Sequence, residues 1–360
     1  MKLNDAAESI RVRVPPTEAG GPYVGLEHFV PHDARLTGCA DAAQIRSATL
    51  RFEAGDVLFG ALRPGQGKLT IAANAGVCST EILVLRPRAS LGFLLGWLMD
   101  PAFLTWCEGA SRGTRMPRVR WQDMAQHRRP NLRDDVTAHA RAIQLVQERL
   151  TLLHRRDKSV RQLIQTAASS VRQTRCGPTL SEIARRLPES RRATVDQPLI
   201  HLTDIDPHQA TIHRWRRQVP RGSYTLVHPG DLLVGRLRPA LNKTAVCPVQ
   251  GACTPELWAL RAEREWSAVV LAHCTQPSVV RSLVDSASGT RMPRARWSAI
   301  SHTHTGFSAD AAARLERAMR PATHHLAHSP ALGKHLRQLR SHLVRRMWRP
   351  TQQATRTPTG

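Results

Sequence analysis

Lysine and acidic residues are the first candidates for catalysis, because phosphate-binding loops and many nucleases depend on a lysine at a fixed spacing. Gly67-Lys68 resembles the end of a phosphate-binding loop, but Leu62 stands where its first glycine belongs and Leu69 follows the lysine. No Asp or Glu lies two residues before any lysine, and neither an Asn-Pro-Pro-Phe type methyltransferase tetrapeptide nor a Gly-x-Ser-x-Gly elbow occurs. We therefore predict no catalytic residue, and a binding protein rather than an enzyme.

Histidines and cysteines are the next candidates, because they are the usual ligands of zinc. His324, His325 and His328 could place two imidazoles on one helix face, but no carboxylate or cysteine stands nearby in the sequence. We interpret them as surface histidines. The 7 cysteines include no Cys-x-x-Cys pair, which argues against a zinc module and against a disulfide framework. The sequence predicts no metal site.

The strongest candidates are basic motifs that occur twice. Gly113–Arg118 (GTRMPR) recurs unchanged as Gly289–Arg294, and a tryptophan follows each copy. Gly55–Lys68 (GDVLFGALRPGQGK) matches Gly230–Lys243 (GDLLVGRLRPALNK) at almost the same distance along the chain. Several ordered matches at one spacing exclude coincidence. The chain therefore consists of two copies of one unit.

The charge of the chain indicates what these motifs bind. Lys and Arg number 52 against 28 Asp and Glu, which gives a net charge of +24 at pH 7. Such an excess favours a polyanionic partner, because basic side chains displace counterions from nucleic acid. An anionic membrane surface or a ribosome-like assembly is the alternative. Aromatic residues make up only 4%, which argues against a single-strand binder that works by base stacking.

No apolar run approaches the length of a membrane span. The longest, Leu91 to Met99, ends at Asp100-Pro101 and is far shorter than the ~20 residues that a bilayer requires. The N-terminus has no apolar stretch followed by a small-residue cleavage site. We expect a cytoplasmic protein.

The elements that must position the motifs are the same in both copies. Each copy begins with strands around a Gly-Asp turn and continues with a hairpin-like strand pair around the Gly-Val-Cys-Ser or Gly-Ala-Cys-Thr segment. Two short helices are expected next. Their ranges are Leu91–Met99 and Phe103–Gly109 in the first copy, and Trp266–Cys274 and Ser278–Asp285 in the second.

A long helix is predicted behind each copy. Apolar residues recur at spacings of three, four or seven from Val136 to Ile164, and again from Phe307 onwards. One such stripe is equally typical of ordinary core packing, but one behind each copy favours helix pairing in a coiled coil. Pro321 and Pro330 should kink or break the second helix.

Taken in this order and repeated twice, the motifs resemble the specificity (S) subunit of type I restriction–modification systems. They are GD-[VL]-L-x-G-x-L-RP…K, the G-[VA]-C-[ST] turn, the GTRMPR loop with its Trp, and the long helix, and they extend from Tyr23 to about Met347. The resemblance implies an α+β fold. In it, two repeated mixed α/β target recognition domains are separated by two long helices packed as an antiparallel coiled coil.

The resemblance also implies domain boundaries. Target recognition domain 1 is expected at 1–132, the first spacer helix at 133–176, and target recognition domain 2 at 177–306. The second spacer helix, interrupted by prolines, is expected at 307–349, and a disordered tail at 350–360.

The function implied by the resemblance is DNA recognition without catalysis. Each recognition domain would read one half of a bipartite double-stranded DNA site, and the helices would set the spacer and dock two methyltransferase (M) subunits. Restriction/translocase (R) subunits would join this complex, and S-adenosylmethionine, ATP and Mg would bind to the partner subunits rather than to this chain. A stand-alone duplicated DNA-binding regulator, or a recognition module of another defence system, is the alternative. An enzyme with an unrecognised active site is disfavoured by the missing motifs.

Residues that are identical in both copies cannot distinguish two different half-sites. We therefore expect them to perform shared work, which is phosphate clamping, scaffold bonding or partner docking, with a salt bridge inside the domain as the alternative for each arginine. These residues are Arg63, Lys68, Arg115 and Arg118 in the first copy, and Arg238, Lys243, Arg291 and Arg294 in the second.

Base contacts are expected from segments that differ between the copies, such as Asp33–Arg46 and Asp206–Arg217. The most suggestive of these is His213–Gln218 (HRWRRQ), which supplies Arg214, Arg216 and Arg217. Two further pairs are expected to be buried instead of functional. They are Trp121 with Trp297, and Cys78 with Cys253.

Overall fold

The chain is described from a computed structural model and separates into two compact units. The first consists of Met1–Thr151 with Leu336–Gly360, and the second of Leu152–His335. Each unit therefore holds one copy of the repeat and a part of both long helices. The residues that the structure describes are 1–129, 135–171, 177–189, 197–207, 212, 215, 222–289 and 292–348. The predicted tail at 350–360 lies outside them.

Within residues 1–129 of the first unit, four short α-helices and eleven strands precede the long helix. The helices are α1 (Leu3–Ala6), α2 (Leu91–Leu98), α3 (Pro101–Gly109) and α4 (Trp121–Ala125). The strands are β1 (Ala7–Ile10), β2 (Arg13–Val14), β3 (Pro22–Val24), β4 (Phe29–Val30), β5 (Arg35–Leu36), β6 (Ala40–Asp41), β7 (Thr49–Phe52), β8 (Val57–Gly60), β9 (Leu69–Ile71), β10 (Gly76–Ser79) and β11 (Ile82–Pro87).

These strands form two main sheets. The first is antiparallel with the order β1-β11-β8-β9, and the second has the order β2-β7-β10-β3-β6. In the second sheet β10 and β3 run parallel, with Cys78 opposite Val24, while β10 and β7 run antiparallel. A separate two-stranded ribbon joins β4 and β5.

The second unit repeats this plan. After α5 (Val136–Val171), which begins in the first unit, the chain forms the helices α6 (Leu180–Ile183), α7 (Ser267–Cys274), α8 (Pro277–Asp285), α9 (Ser298–Ser301) and α10 (Ala309–Met347). Its strands are β12 (Ala184–Arg186), β13 (Leu199–Ile200), β14 (Thr225–Val227), β15 (Leu232–Gly235), β16 (Thr244–Val246), β17 (Gly251–Cys253) and β18 (Leu257–Ala262).

The sheets of the second unit match those of the first in their central strands. The antiparallel sheet has the order β12-β18-β15-β16, and the other sheet has the order β13-β17-β14. Its parallel pair is β13 with β17, where Cys253 lies opposite Ile200 as Cys78 lies opposite Val24 in the first unit. The predicted mixed fold, and the pairs of short helices after the strands, are confirmed.

The strand pairing around each Gly-Asp turn differs from the prediction. β7 and β8 are present on either side of Gly55-Asp56, but they belong to different sheets. The hairpin-like pair predicted around Gly76 is also wrong, because β10 leaves the sheet that contains β9 and β11. Gly55 has a φ of +91°, and the buried Asp56 accepts a hydrogen bond from the Glu53 amide at 2.8 Å. This turn carries the chain from one sheet to the other.

The same aspartate fixes each turn to a neighbouring strand. Arg86 of β11 donates from its Nε and Nη2 atoms to Asp56 at 2.9 and 3.1 Å, and Arg261 of β18 donates from the same atoms to Asp231 at 2.7 Å each. Both aspartates are buried. The Gly-Asp motif therefore recurs because its carboxylate ties the turn to the antiparallel sheet.

The two long helices pack antiparallel within each unit. In the first unit Ile143 and Met347 both contact Gly96, and Arg340 donates a hydrogen bond to the Gln147 side chain. Moving along α5 from 143 to 147 thus means moving back along α10 from 347 to 340. The predicted antiparallel pairing is confirmed.

In the second unit, His325 of α10 contacts Asp157 of α5, with 2.7 Å between Nε2 and Oδ1. Further along α5, Ile164 shares a core with Leu315 of α10. The pairing therefore has the same direction as in the first unit.

The predicted interruption of the second helix by prolines is wrong. α10 continues from Ala309 to Met347 with Pro321 and Pro330 inside it. Each proline removes one backbone donor, at a cost of about 3 kcal/mol in a helix interior. Leu315 and Leu326 are buried on either side of Pro321, so their packing offsets this cost.

Candidate nucleic-acid interface

The repeated GTRMPR loop forms a short hairpin, which we call the first arginine hairpin (Arg112–Arg118). The Arg112 amide donates to the Arg118 carbonyl at 2.9 Å, and the Arg118 amide donates back to Arg112 at 3.0 Å. Gly113 has a φ of +93°, a conformation that strongly favours glycine, and a Cβ there would lie 3.3 Å from the Met116 carbonyl oxygen. The glycine of the motif is therefore required by the turn.

The second arginine hairpin (Ser288–Arg294) has the same frame. The Ser288 amide donates to Arg294 at 3.2 Å, and the Arg294 amide donates to Ser288 at 3.0 Å. Gly289 has a φ of +103°. Arg291 lies outside the described residues, so its predicted role stays a prediction.

Each hairpin is attached to the repeated Arg-Pro turn. The Arg63 amide donates to the Pro117 carbonyl at 2.9 Å, and the Arg238 amide donates to Pro293 at the same distance. Arg63 and Arg238 have φ values of +50° and +51°, in the left-handed region that non-glycine residues rarely occupy. Such a conformation costs of the order of 1–2 kcal/mol per residue. Both copies keep this strained backbone conformation at the equivalent arginine, which is typical of a functional position.

The side chains at these junctions point to solvent. Arg63 and Arg115 are exposed in the first unit, and Arg238 and Arg294 in the second. The structure thus brings together two motifs that are well separated in the sequence, and each junction carries exposed guanidinium groups. Such groups bind phosphate oxygens well, because their planar donors match the geometry of the anion.

Arg118 differs from the exposed arginines of the junctions, because it has a carboxylate partner. Its Nε and Nη2 atoms donate to Glu81 at 2.6 and 2.8 Å, and the side chains of Arg118 and Glu81 are 43% and 30% exposed. This pair raises the pKa of Arg118 through its hydrogen bonds. The intradomain salt bridge that we gave as the alternative is therefore what the structure contains at Arg118.

The two predicted lysines form scaffold contacts. The Lys68 ammonium donates to the Leu26 carbonyl at 3.0 Å, and the Lys243 ammonium donates to the Leu202 carbonyl at the same distance. Burial lowers the pKa of both lysines. Each lysine fixes a one-turn 3₁₀ helix beside its sheet, so scaffold bonding describes their position better than phosphate clamping.

The first of the two divergent segments begins in the core. Asp33 and Arg35 are 4% and 7% exposed, with 3.2 Å between the Arg35 Nε and the Asp33 carboxylate. Arg337 and Arg340 of α10 approach the same carboxylate at 3.7 and 3.6 Å. Base reading by this end of Asp33–Arg46 is therefore wrong, because its charged side chains bind the long helix.

Arg340 completes this buried cluster, which we call the Asp33 cluster (Asp33, Arg35, Arg337 and Arg340). Its side chain is 1% exposed, and it donates to the carbonyls of His32 and Asp33 at 3.1 and 3.2 Å. Burial lowers the pKa of Arg340 to about 10. The sequence could not reveal this cluster, since its members come from opposite ends of the chain.

The second divergent segment is only partly described. Arg214, Arg216 and Arg217 lie outside the described residues, and their assignment to base reading stays a prediction. Trp215 packs against the core of the second unit, and the Lys334 ammonium lies 4.4 Å from its ring centre. Asp206, at the start of the segment, is buried.

Of the residues expected to be buried, the two cysteines are buried and the two tryptophans are partly buried. Trp121 and Trp297 pack against the cores of their units. Cys78 and Cys253 are fully buried, and burial raises the pKa of both thiols, that of Cys78 to about 12.

Of the three histidines expected at the surface, two are exposed and one is half-buried. His324 and His328 stack with their ring centres 3.9 Å apart, and the hydrogen bond from the His328 ring to the His324 carbonyl is exposed. His325 is instead half-buried against Asp157 of the other long helix. Over the described ranges, no group of three or more His, Cys, Asp or Glu is arranged to hold a metal ion. In the same part of the chain, no helix is long and apolar enough to span a membrane.

Comparison with known proteins supports the predicted resemblance. No family model matches the chain. The specificity subunit of the type I restriction enzyme EcoDI from Escherichia coli is 27% identical over 111 residues, which cover 29% of this chain and 25% of the relative. The chain thus matches about a quarter of the length of that relative.

Solved structures of S subunits align with nearly the whole chain. The type I S subunit from M. genitalium matches with a TM-score of 0.54 and 11% identity, over 97% of this chain and 96% of that one. The HsdS subunit from Thermoanaerobacter tengcongensis aligns over 97% of this chain and 96% of that one, with 16% identity and a TM-score of 0.38. The M. genitalium match shows a shared fold, and the resemblance predicted from the repeated motifs is confirmed.

Proposed function

We propose that the chain is the DNA specificity subunit of a type I restriction–modification complex, in which each recognition domain reads one half of a bipartite site. The observation that carries the proposal is the junction of arginine hairpin and Arg-Pro turn, which occurs twice with the same backbone hydrogen bonds and the same left-handed arginine. Two equivalent exposed basic surfaces in one chain suit two half-sites on one duplex.

The division of labour within each domain follows from the duplication. Arg63, Arg115 and Arg238 recur in sequence, so they cannot discriminate between two half-sites and serve as phosphate contacts. The bases are read by segments that differ between the copies, among which the basic stretch around Trp215 is the first candidate. Linking two readers raises the effective concentration at the second half-site once the first is bound.

The long helices provide the docking surface for the methyltransferase subunits. Several of their leucines are exposed, although leucine is among the residues most often buried in folded proteins. The exposed leucines are Leu145, Leu152 and Leu163 on α5, and Leu332 and Leu339 on α10, each 46–55% exposed. Apolar side chains on helices that already pack against each other suit contacts with a further helix. The cofactors S-adenosylmethionine, ATP and Mg would be held by the partner subunits.

Docking is tested by charge on these helices. Replacing Leu145 and Leu339 of the first unit by Lys should abolish co-purification of a methyltransferase subunit with the full chain, because burying an unpaired ammonium in an apolar contact is costly. Thr137→Lys is the matched control, since Thr137 is an exposed polar residue of α5. Retention of the methyltransferase by the double leucine variant would contradict docking at these leucines.

DNA recognition is tested by footprinting the same complex. Hydroxyl-radical cleavage should reveal two protected patches separated by an unprotected spacer of fixed length. A chain that binds DNA tightly and copurifies with no methyltransferase from native cells would instead be a stand-alone regulator. The proposal fails if the full complex protects one continuous patch, or none.

A further inference from the structure

Two exposed methionines occupy equivalent positions in the arginine hairpins. Met116 is 47% exposed and Met292 is 48% exposed. Other large apolar side chains exposed in the described parts of the two recognition domains, such as Val12, Leu226 and Val284, have no exposed apolar counterpart in the other copy. The pair therefore belongs to the shared function of the repeats and is not incidental surface.

The base of the first hairpin holds Met116 in place. The Arg118 guanidinium, which Glu81 binds, also donates from Nη1 to the Met116 carbonyl at 3.2 Å. Pro117 follows the methionine, and its carbonyl accepts the amide of Arg63. The backbone on both sides of Met116 is thus fixed from within the domain, while its side chain points outward.

The surroundings of the methionines are cationic. Exposed arginines stand on the hairpin and on the attached turn, including Arg63 and Arg115 in the first unit and Arg238 and Arg294 in the second. Glu81 contacts the first hairpin through Arg118, whose guanidinium binds both of its carboxylate oxygens. An apolar tip with exposed arginines on the same hairpin and on the attached turn suits a duplex, where phosphates surround an apolar stack of bases, better than it suits a protein surface.

We propose that Met116 and Met292 are apolar wedges that enter the duplex at one base step of each half-site, so that the complex unstacks and bends its DNA at two places. This inference rests on the proposed function and deepens it. Methionine is unbranched and polarisable, so it adapts to different steps, and side chains of this kind are used to separate bases from the minor groove. Because the wedge is identical in both copies, it contributes to binding through the deformability of the DNA and not through base identity.

The test uses the full complex with the methyltransferase subunits and a duplex that carries the sequence methylated by this complex. The adenine analogue 2-aminopurine is placed in turn at each step of each half-site, and its fluorescence rises where the stack opens. Apart from the target base that the methyltransferase subunits flip out of the stack, the wild type should produce one bright step per half-site. Met116→Ala should remove the bright step from one half-site only, and Met292→Ala from the other only. Met116→Leu should keep the signal.

Affinity provides the second readout. Each alanine variant should bind the duplex about tenfold more weakly, because it withdraws a buried apolar side chain from the complex. Leu226→Ala, which changes an exposed leucine outside the hairpins, is the matched control and should leave affinity and fluorescence unchanged.

The possible failures are distinguishable. A wild-type complex that binds its site without a bright step overturns the wedge and leaves the proposed function intact. A complex with no specific DNA binding overturns the proposed function itself. Loss of the methyltransferase from Met116→Ala, with unchanged DNA fluorescence in the remaining complex, would assign the methionine to a protein contact and also overturn the wedge.

Discussion

The first and second arginine hairpins share the hydrogen bonds at their base but differ in their side-chain interactions. In the first, Glu81 binds Arg118 through two hydrogen bonds. In the second, Arg294 and Glu256 hold the equivalent positions, and across the described residues no ion pair joins them. Duplication has thus preserved the cross-strand bonds, the glycine and the left-handed arginine, whereas the salt bridge is dispensable for the hairpin.

The cores of the two units differ in the same way. The Trp97 indole donates to His127 at 3.1 Å in the first unit. His273 and Thr303, which hold the equivalent positions in the second unit, are joined at 2.8 Å. Asp33, at the centre of the Asp33 cluster, corresponds to Gln209 in the sequence of the second copy. One scaffold therefore carries two sets of polar interactions, and the two units should respond differently to the same perturbation.

The largest difference in stability is expected between a substitution in the Asp33 cluster of the first unit and a substitution of the buried Arg161 in the second. Asp33→Ala would remove the carboxylate that faces the buried Arg35 and Arg340 and the partly buried Arg337, which should cost the first unit about 3–5 kcal/mol. Arg161 of the second unit is 5% exposed, and its Nη1 atom has no hydrogen-bond partner among the described residues. Arg161→Met should therefore be neutral or stabilising. Hydrogen exchange, analysed separately for each unit, measures the stability change in both variants. Equal losses of stability would contradict the expected difference.

A pH difference should come next. Burial, and then the nearby Arg129, lower the pKa of His127 to about 4 from an ordinary value of 6.5. The unfolded state then binds more protons than the folded state between these values, so the first unit should lose stability as the pH falls from 6.5 to 4. Thr303 stands at the equivalent position of the second unit and does not titrate. His127→Asn should remove this pH dependence from the stability of the first unit, as measured by hydrogen exchange. The same pH dependence in the variant would show that His127 does not cause it.

The repeat and the short helices were predictable because both are local signals in the sequence. The strand exchange at Gly55 and Gly76 was not, because nothing local tells which sheet a strand joins. The Asp33 cluster and the contact of His325 with Asp157 were also missed, since each joins segments that are far apart in the sequence. Likewise, Arg118 could be assigned to its salt bridge only once Glu81 was placed beside it.

The two hairpins should separate stability from DNA binding. Arg118→Gln should destabilise the first unit only slightly, because its bridge is partly exposed, and it should change the salt dependence of DNA binding little. Arg294→Gln should leave stability unchanged and reduce the slope of log affinity against log salt by about one, as expected for a phosphate contact. Titrations at several salt concentrations measure the slope. Similar slopes for the two variants would mean that the bridge does not withhold Arg118 from DNA.

The smallest effect distinguishes two basic residues of one domain. Arg115→Ala should weaken binding at all sequences and reduce the salt slope by about one. Lys68→Met should leave the slope unchanged, since its ammonium donates to Leu26, and cost about 1 kcal/mol of stability. Loss of preference at a single base position in the Arg115 variant, with nonspecific affinity intact, would show that Arg115 reads a base instead.

Duplicated domains that read two halves of one DNA site should direct methylation to a two-part motif. Methylation sequencing of a host with and without this chain, in the presence of its methyltransferase subunit, measures this. We expect methylated bases within a two-part motif, with an unspecified spacer of fixed length, that appears only when the chain is present. Methylation at one continuous motif, or a methylation pattern that is the same without the chain, would contradict it.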